Sequence, residues 1–141
     1  MTRMGAIALL AALAVAVLIG VIRSIRAGRL RPASSDGPGL TPGELSAAAL
    51  GDRATLVHFS SAFCRPCVAV RHVLHGVAER VPGVAAVEVD AESHLDLVRR
   101  LDITSTPTTL LLDKDGVERQ RATGVPRRAD VLAALNEVLQ A

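Results

Sequence analysis

The chain has 141 residues and a mass of 14.7 kDa, which leaves room for one domain of about 100 residues and short accessory segments. Half of the residues are hydrophobic but only two are aromatic, so the core must be built mainly from aliphatic side chains. The formal net charge is only +2 and no face of the sequence carries a basic track, which argues against nucleic acid as a partner.

The first predicted element is an apolar segment, residues 4–22, with no charged or strongly polar side chain. In a helix these 19 residues rise about 28 Å, close to the hydrocarbon thickness of a bilayer. A buried core helix would show a polar stripe, and a signal peptide usually has a shorter apolar run and a small-residue cleavage site. We therefore predict a transmembrane anchor at residues 4–22, with a cleaved signal peptide as the main alternative.

Arginines flank this segment unequally, because one precedes it and four follow it within ten residues. The one that precedes it is Arg3, and the four that follow are Arg23, Arg26, Arg29 and Arg31. Basic residues concentrate on the cytoplasmic side of membrane proteins. We therefore expect a single-pass protein of the cell membrane whose C-terminal domain faces the cytoplasm, with the extracytoplasmic face as the alternative.

A basic stem and flexible linker are predicted at residues 23–40, before a domain at residues 41–141. Residues 31–43 are rich in Pro, Gly and Ser and lack an apolar period, which is typical of a linker. Ten extended residues reach about 33 Å, so such a linker would hold the domain near the membrane without fixing it there.

The rest of the chain alternates helical and strand patterns. A capping-box pattern at residues 41–44 predicts a short helix that ends near Leu50. Strands are predicted at 55–60, 84–90, 108–113 and 117–122, and helices at 64–81, 93–101 and 127–140. A β-α-β unit requires parallel strands and the Asp-Lys-Asp-Gly turn requires an antiparallel hairpin. The order therefore predicts an α/β fold with a mixed four-stranded sheet and helices on both faces.

Both cysteines, Cys64 and Cys67, lie where a predicted strand gives way to a helix. A helix N-terminus favours a thiolate at Cys64, and Arg65 favours it further if its side chain folds toward the sulfur. Pro66 suits the first helical turn because its missing N–H would have had no partner. Cys67 lies on the same helical side and is near enough to attack a mixed disulfide at Cys64. The pattern favours a reactive pair with Cys64 as nucleophile and Cys67 as resolving residue.

A metal site is an alternative, because His72 and His75 follow the cysteines. On one helix, however, Cys64 and His75 would lie about 16 Å apart, whereas zinc ligands lie about 2.0–2.3 Å from a single ion. A zinc site that uses His58 or His94 instead stays open, as does a purely structural disulfide. We expect no metal, and no cofactor other than a redox-active disulfide.

Four motifs follow one another in residues 41–140: the strand V-H-F, the C-R-P-C that opens a helix, T-P-T at 106–108, and a D-G turn before a closing helix. In this order they resemble the thioredoxin-like superfamily. The resemblance implies a thioredoxin-like fold and a thiol–disulfide oxidoreductase involved in cell redox homeostasis. It also implies that Pro107 is cis and lies against the cysteine pair, and that Thr106 offers backbone hydrogen bonds to the substrate.

The sequence departs from thioredoxins around the motif. Phe63, which we expect to contact the substrate, stands where thioredoxins have Trp, and the motif interior is R-P rather than G-P. His58 stands where thioredoxins carry a buried acid that assists the second cysteine. A neutral imidazole could accept that proton, although a purely structural role for His58 is equally open. Because Arg65 would stabilise the thiolate, we expect a reduction potential above thioredoxin's value of about −270 mV.

The predicted function is that of a membrane-tethered thiol–disulfide oxidoreductase acting on protein thiols and disulfides. The chain has no third cysteine to act as a relay, so an external electron donor is required. We expect a monomer. The alternatives are a non-catalytic thioredoxin-fold adaptor or redox sensor for a membrane partner and, less favoured, a metal carrier.

Overall fold

A computed structural model describes residues 3–33, 39–45 and 50–141. The helices are α1 (Arg3–Arg26), α2 (Arg65–Ala78), α3 (Leu95–Arg100) and α4 (Arg128–Gln140), and a short 3-10 helix covers Pro42–Leu45. The strands are β1 (Arg31–Pro32), β2 (Ala54–Ser60), β3 (Val84–Asp90), β4 (Thr108–Asp113) and β5 (Glu118–Thr123). The predicted strands at 84–90 and 108–113 are thus confirmed to the residue, and the other predicted strands are confirmed to within one residue at each end.

Within the described ranges the strands form one mixed sheet in the order β1-β5-β4-β2-β3. β2 and β3 are parallel because α2 carries the chain across one face of the sheet between them. The pairs β2–β4 and β4–β5 are antiparallel. At the turn between β4 and β5, the Asp113 carboxylate accepts hydrogen bonds from the backbone N–H groups of Asp115 and Val117. The predicted mixed α/β topology is confirmed.

The strand count is corrected from four to five by β1, which lies in the segment predicted as a linker. Arg31 and Pro32 lie in antiparallel register with Arg121 and Gln120 of β5. The sequence of the stem gives no sign of this because two residues carry no periodicity. Without β1, β5 would be an open edge of the sheet with unpaired backbone groups. β1 is itself the outer strand, and an outer strand tolerates Pro32 because it has no second neighbour to which it must donate.

Two apolar cores cover opposite faces of the sheet, since alternate residues of β2 and β4 point to opposite sides. One core joins Val57, Phe59 and Leu110 to the segments around α3 and the 3-10 helix. The other core places Leu56 and Leu111 under α2 and α4. The α2 face of the sheet is the one that holds the cysteine pair in place.

The helix bounds differ from the predicted ones, and α3 covers Leu95–Arg100 rather than 93–101. The chain at residues 42–45 forms a 3-10 helix, and the predicted continuation over 46–49 lies outside the described residues. Its start shows half of the predicted capping box, because the Glu44 carboxylate accepts hydrogen bonds of 2.8 Å from both the backbone N–H and the hydroxyl of Thr41. α2 ends at Ala78 rather than near 81.

α1 does not contribute to either core. Its described side chains, from Met4 to Arg26, are all exposed. This 23-residue stretch contains an 18-residue window with a mean hydropathy of 2.8. It is long and apolar enough to cross a membrane, properties that a signal sequence shares. The apolar character of the N-terminal segment is therefore not used to stabilise the domain.

Candidate functional site

The cysteine pair lies at the N-terminal end of α2. Cys64 is the N-cap residue, and the backbone N–H of Cys67 donates to the Cys64 carbonyl at 3.2 Å. The two residues form a disulfide with a Cα–Cα distance of 5.4 Å. Cys67 is buried, with 3% of its surface exposed, whereas Cys64 is partly exposed. A reagent in solution therefore reaches Cys64 first.

The two residues between the cysteines lie on the surface. Pro66 occupies the first turn of α2, where its missing N–H leaves no gap in the helical hydrogen bonds. Arg65 is exposed and makes no ion pair with any residue that the structure describes. Its charge is consequently not neutralised by a carboxylate in the first turn of the helix, where it adds to the positive end of the helix dipole.

The second loop of the site contains Thr106 and Pro107. The peptide bond between them is cis, as the resemblance implied. Pro107 is buried, and its carbonyl accepts a hydrogen bond of 2.9 Å from the backbone N–H of Gly124. The hydroxyls of Thr106 and Ser61 lie 3.1 Å apart and share a hydrogen bond. This bond joins the proline loop to the loop that precedes Cys64, and sequence reasoning did not single out Ser61.

Phe63, directly before Cys64, has 95% of its surface exposed, more than any other exposed large hydrophobic residue in the described ranges. An aromatic ring in water offers apolar area that a bound chain can cover. The apolar surface of the Phe63 ring therefore lies beside Cys64, the more exposed of the two cysteines.

His58 is 2% exposed and lies on β2 beneath α2. Its ring lines a small internal space together with Arg71, Leu74, His75 and Glu88. Among the described residues, its Nε2 atom has no hydrogen-bond partner. A buried polar atom without a partner is uncommon and needs an explanation, either a function or a water molecule.

Burial lowers the pKa of His58 below its usual value of 6.5 because the charged imidazolium would lose its hydration. The Glu88 carboxylate opposes this shift, and the electrostatic interactions with Arg71 and His75 reinforce it. Glu88 itself accepts two hydrogen bonds from Arg71, of 2.6 and 2.8 Å, and these lower its pKa to about 2. His58 is therefore neutral at pH 7, with a ring nitrogen able to accept a proton.

The histidines considered for a metal site do not converge. His72 and His75 are exposed on α2, and the Nδ1 atom of His94 lies 2.9 Å from the carbonyl of Asp90. In the described part of the chain, no group of three or more His, Cys, Asp or Glu side chains could hold a metal ion. The geometry thus offers the cysteine pair for disulfide chemistry.

Comparison with known proteins agrees with this fold and site. The thioredoxin family model matches residues 43–137. Thioredoxin from Mycobacterium tuberculosis (strain ATCC 25618 / H37Rv) is 32% identical over 89 residues, which cover 62% of this chain and 76% of that protein. Thioredoxin from Pongo abelii is 26% identical over 91 residues, covering 64% and 85% of the two chains.

Solved structures give the same result. Chloroplastic thioredoxin z is 26% identical with a TM-score of 0.58, covering 64% of this chain and 81% of its own. Mitochondrial thioredoxin 3 from Saccharomyces cerevisiae has a TM-score of 0.54 at 21% identity, covering 61% and 79%, and so supports the fold alone. The architecture is that of a thioredoxin-like α/β protein with a redox-active cysteine pair. The chain belongs to the thioredoxin family.

Members of this family are thiol–disulfide oxidoreductases that act on protein disulfides and are reduced again by a reductase. In this chain Cys64 and Cys67 form the redox-active pair. The family match begins at residue 43, so α1 and the stem with β1 lie outside it.

Proposed function

We propose that the protein is a membrane-tethered thiol–disulfide oxidoreductase that reduces protein substrates close to the membrane surface. The observation that carries the proposal is the asymmetry of the pair, with Cys64 accessible and Cys67 buried at the start of α2. The exposed helix α1 supports the tether, because its uncharged apolar run at residues 4–22 lies outside the core and needs another environment that covers it.

The reaction begins with the dithiol form. The Cys64 thiolate attacks one sulfur of a substrate disulfide, the substrate S–S bond breaks, and its other sulfur leaves as a thiolate that takes up a proton. The Cys67 thiolate then attacks the Cys64 sulfur of this mixed disulfide and releases the second substrate thiol. Two electrons have passed to the substrate, and the Cys64–Cys67 disulfide remains to be reduced by an external donor.

Cys67 must lose its proton inside the protein before the second step. We assign the acceptance of this proton to His58. Its buried, neutral ring lies beneath α2, the helix that carries Cys67. Above its lowered pKa the imidazole is an acceptor rather than an acid. Arg65 and Pro66 act on the first step, the former through its charge and the latter by fixing the helix start that stabilises the Cys64 thiolate.

Substrate binding is assigned to the rim around Cys64. The exposed ring of Phe63 supplies apolar contact, and the loop of Thr106 and Pro107 supplies backbone groups for a substrate strand. The hydrogen bond between Ser61 and Thr106 keeps the two loops together, so that a strand lying on one loop meets the sulfur on the other.

The arginine bias around α1 supports a domain on the cytoplasmic side, where the ambient redox poise would keep the pair reduced and favour a reductase. The protein then needs a cytoplasmic electron donor, and a monomer suffices because both cysteines lie in one chain.

The test of the catalytic step uses Cys67→Ser in the full-length chain, expressed in membranes. This variant should accumulate mixed disulfides between Cys64 and substrates, which dithiothreitol releases, whereas the matched variant Cys64→Ser should trap none. Capture of the same proteins without any covalent bond would instead indicate a non-catalytic adaptor and overturn the enzymatic proposal.

Anchoring and sidedness are tested in intact cells. A spanning α1 keeps the protein in the membrane pellet after alkaline carbonate extraction. A membrane-impermeant thiol reagent should leave Cys64 of the Cys67→Ser variant unlabelled until the cells are opened. Prompt labelling in intact cells would show that the domain faces outward.

A further inference from the structure

A cavity of about 720 Å³ lies where the anchor helix, the stem and the domain meet. One wall comes from the last turns of α1 and the stem, and the opposite wall comes from the end of α3 and from β5. This volume lies in the range of small-molecule sites, which is about 300–1,000 Å³. The cavity lies outside the region matched by the family model, at least on its α1 and stem side.

The lining is strongly basic, with six arginines against two acidic residues. Two of the arginines are already paired, since Arg121 bonds to Glu118 at 2.7 Å and Arg100 pairs with Glu44. The other four are Arg23, Arg26, Arg29 and Arg31, all exposed and without an ion pair among the residues that the structure describes. The four guanidinium charges repel one another, and an anion bound between them offsets this repulsion.

The stem wall is held against the domain by backbone bonds. Arg31 lies in register with Arg121 across the β1–β5 pair, and the Gly28 N–H donates to the carbonyl of Thr123. Gly28 has φ +79°, and a Cβ there would lie 2.0 Å from the carbonyl oxygen of Val125. The chain can therefore make this tight turn only with glycine, and the arginines on either side of it are positioned before any ligand arrives.

The residues that line the cavity also indicate its position relative to the bilayer. Ile22, the last residue of the predicted span, lines it together with Arg23, which begins the basic stem. If the apolar segment fills the hydrocarbon layer, the cavity lies at the level of the lipid headgroups, where phosphates are concentrated. Arginine suits such a ligand because its planar guanidinium binds phosphate oxygens in pairs.

We propose that this cavity binds the phosphate headgroup of an anionic phospholipid. The proposal rests on the membrane anchoring proposed above. A bound headgroup neutralises the arginines of α1 and the stem and links them to the domain wall formed by α3 and β5. β5 leads directly into Gly124, whose N–H binds the carbonyl of Pro107. The lipid therefore holds the redox site at a fixed orientation to the membrane.

The test titrates the purified full-length chain, in micelles of a neutral detergent, with phosphatidylglycerol, with phosphatidylcholine and with inorganic phosphate. Binding is read by native mass spectrometry, as the stoichiometry of retained lipid, and by the midpoint of thermal unfolding in far-UV circular dichroism. We expect one saturable phosphatidylglycerol, at least tenfold weaker binding of phosphatidylcholine, and no comparable shift from phosphate at the same concentration.

Three double variants with equal loss of charge supply the comparison. Arg26→Gln/Arg29→Gln should weaken phosphatidylglycerol binding at least tenfold, and Arg23→Gln/Arg31→Gln should do the same. Arg53→Gln/Arg80→Gln removes two arginines that do not line the cavity and should stay within twofold of the wild type. All of these residues are exposed, so the midpoint without lipid should be unchanged and report correct folding.

Equal affinity for the two lipids, or wild-type binding by both cavity variants, would overturn the proposal. An equal response to inorganic phosphate would also overturn it, in favour of a soluble anion as the ligand. The proposed anchoring is tested separately, because a protein without a membrane span is released by carbonate extraction. The proposed oxidoreductase activity is tested by insulin reduction.

Discussion

His58 and Glu88 are direct neighbours across the parallel strands β2 and β3, the imidazole buried and the carboxylate bound to Arg71 of α2. Arg71 lies one helical turn after Cys67, so the neighbourhood of the imidazole is connected to the helix that carries the resolving cysteine. The carboxylate raises the pKa of His58, whereas burial and Arg71 lower it. The ability of His58 to take up a proton is thus set by residues on three elements.

Replacing His58 by Leu removes the acceptor assigned to the Cys67 proton while keeping an apolar side chain beneath α2. We expect the rate of insulin reduction at pH 7 to fall about 10- to 100-fold, and its rise with pH to move toward the ordinary thiol pKa of about 8.5. The measurement is the turnover rate from pH 5 to 9. His58→Asp should restore part of the rate at pH 7. An unchanged pH profile in His58→Leu would leave His58 with a structural role only.

Replacing Glu88 by Gln should lower the pKa of His58 further, because the carboxylate is the group that raises it. The titration is followed by the NMR signal of the His58 ring, identified by its absence in His58→Leu. The matched control is Glu79→Gln, which removes an exposed carboxylate at the end of α2 and should not move the signal. A rise of the pKa in Glu88→Gln would contradict the assignment of the Glu88 carboxylate as the group that raises the pKa of His58.

Local patterns predicted most of the fold, and long-range pairing accounts for what they missed. The β-rich runs, the helix start at Cys64 and the turn before β5 each depend on neighbours in the chain, and each is found where it was expected. β1 was missed because Arg31 pairs with Arg121, 90 residues later, and only the finished sheet creates that edge.

The same reason applies to the site. The cysteine pair was visible as a motif, and the cis bond at Pro107 followed from the resemblance rather than from the residues alone. The hydrogen bond from Ser61 to Thr106 spans 45 positions, and no local signal announces it. The alternation of side chains along β3 determines on which face of the sheet Glu88 lies. That Glu88 faces His58 depends on the register between β2 and β3, which no local pattern gives.

Acid should destabilise the protein in two steps. The pKa of Glu88 is about 2 in the folded protein against a usual 4.5, so its contribution to stability is present above pH 4.5 and is lost as the pH falls from there toward 2. The pKa of His58 is also lowered, so the unfolded chain binds its proton first and stability begins to fall below pH 6.5.

The measurement is the free energy of unfolding of the full-length chain in micelles, from urea titrations followed by far-UV circular dichroism between pH 2 and 8. His58→Leu should remove the slope that begins near pH 6.5, and Glu88→Gln should reduce the slope below pH 4.5. Parallel curves for the wild type and both variants would contradict the assignment of these two groups.

Replacing Phe63 by Ala should separate substrate binding from stability. The ring is 95% exposed, so its loss should change the free energy of unfolding by less than about 0.5 kcal/mol. We expect the KM for insulin to rise severalfold with kcat nearly unchanged, because the ring contributes contact area but no chemistry. A small aromatic disulfide, which is too short to cover the ring and the proline loop together, should react at the wild-type rate. Equal loss with both substrates would place the effect on Cys64 itself.

Replacing Gly28 by Ala should release the stem from the sheet. At φ +79° an alanine is strained by roughly 1–2 kcal/mol, and its Cβ would lie 2.0 Å from the Val125 carbonyl oxygen. The β1–β5 pair consists of only two residues, so it has little energy with which to oppose this strain. We expect trypsin to cleave after Arg29 at least tenfold faster in Gly28→Ala than in the wild type, as followed by mass spectrometry of the full-length chain in micelles.

The matched control is Gly43→Ala, since Gly43 has an ordinary φ and no atom within 4 Å of the added Cβ. This variant should be cleaved at the wild-type rate. Because Gly28 is not part of the cysteine site, the Gly28→Ala variant should still reduce a small disulfide at the wild-type rate, which shows that the domain remains folded. If cleavage after Arg29 is as slow in Gly28→Ala as in the wild type, the turn at Gly28 is not what keeps the stem paired with β5.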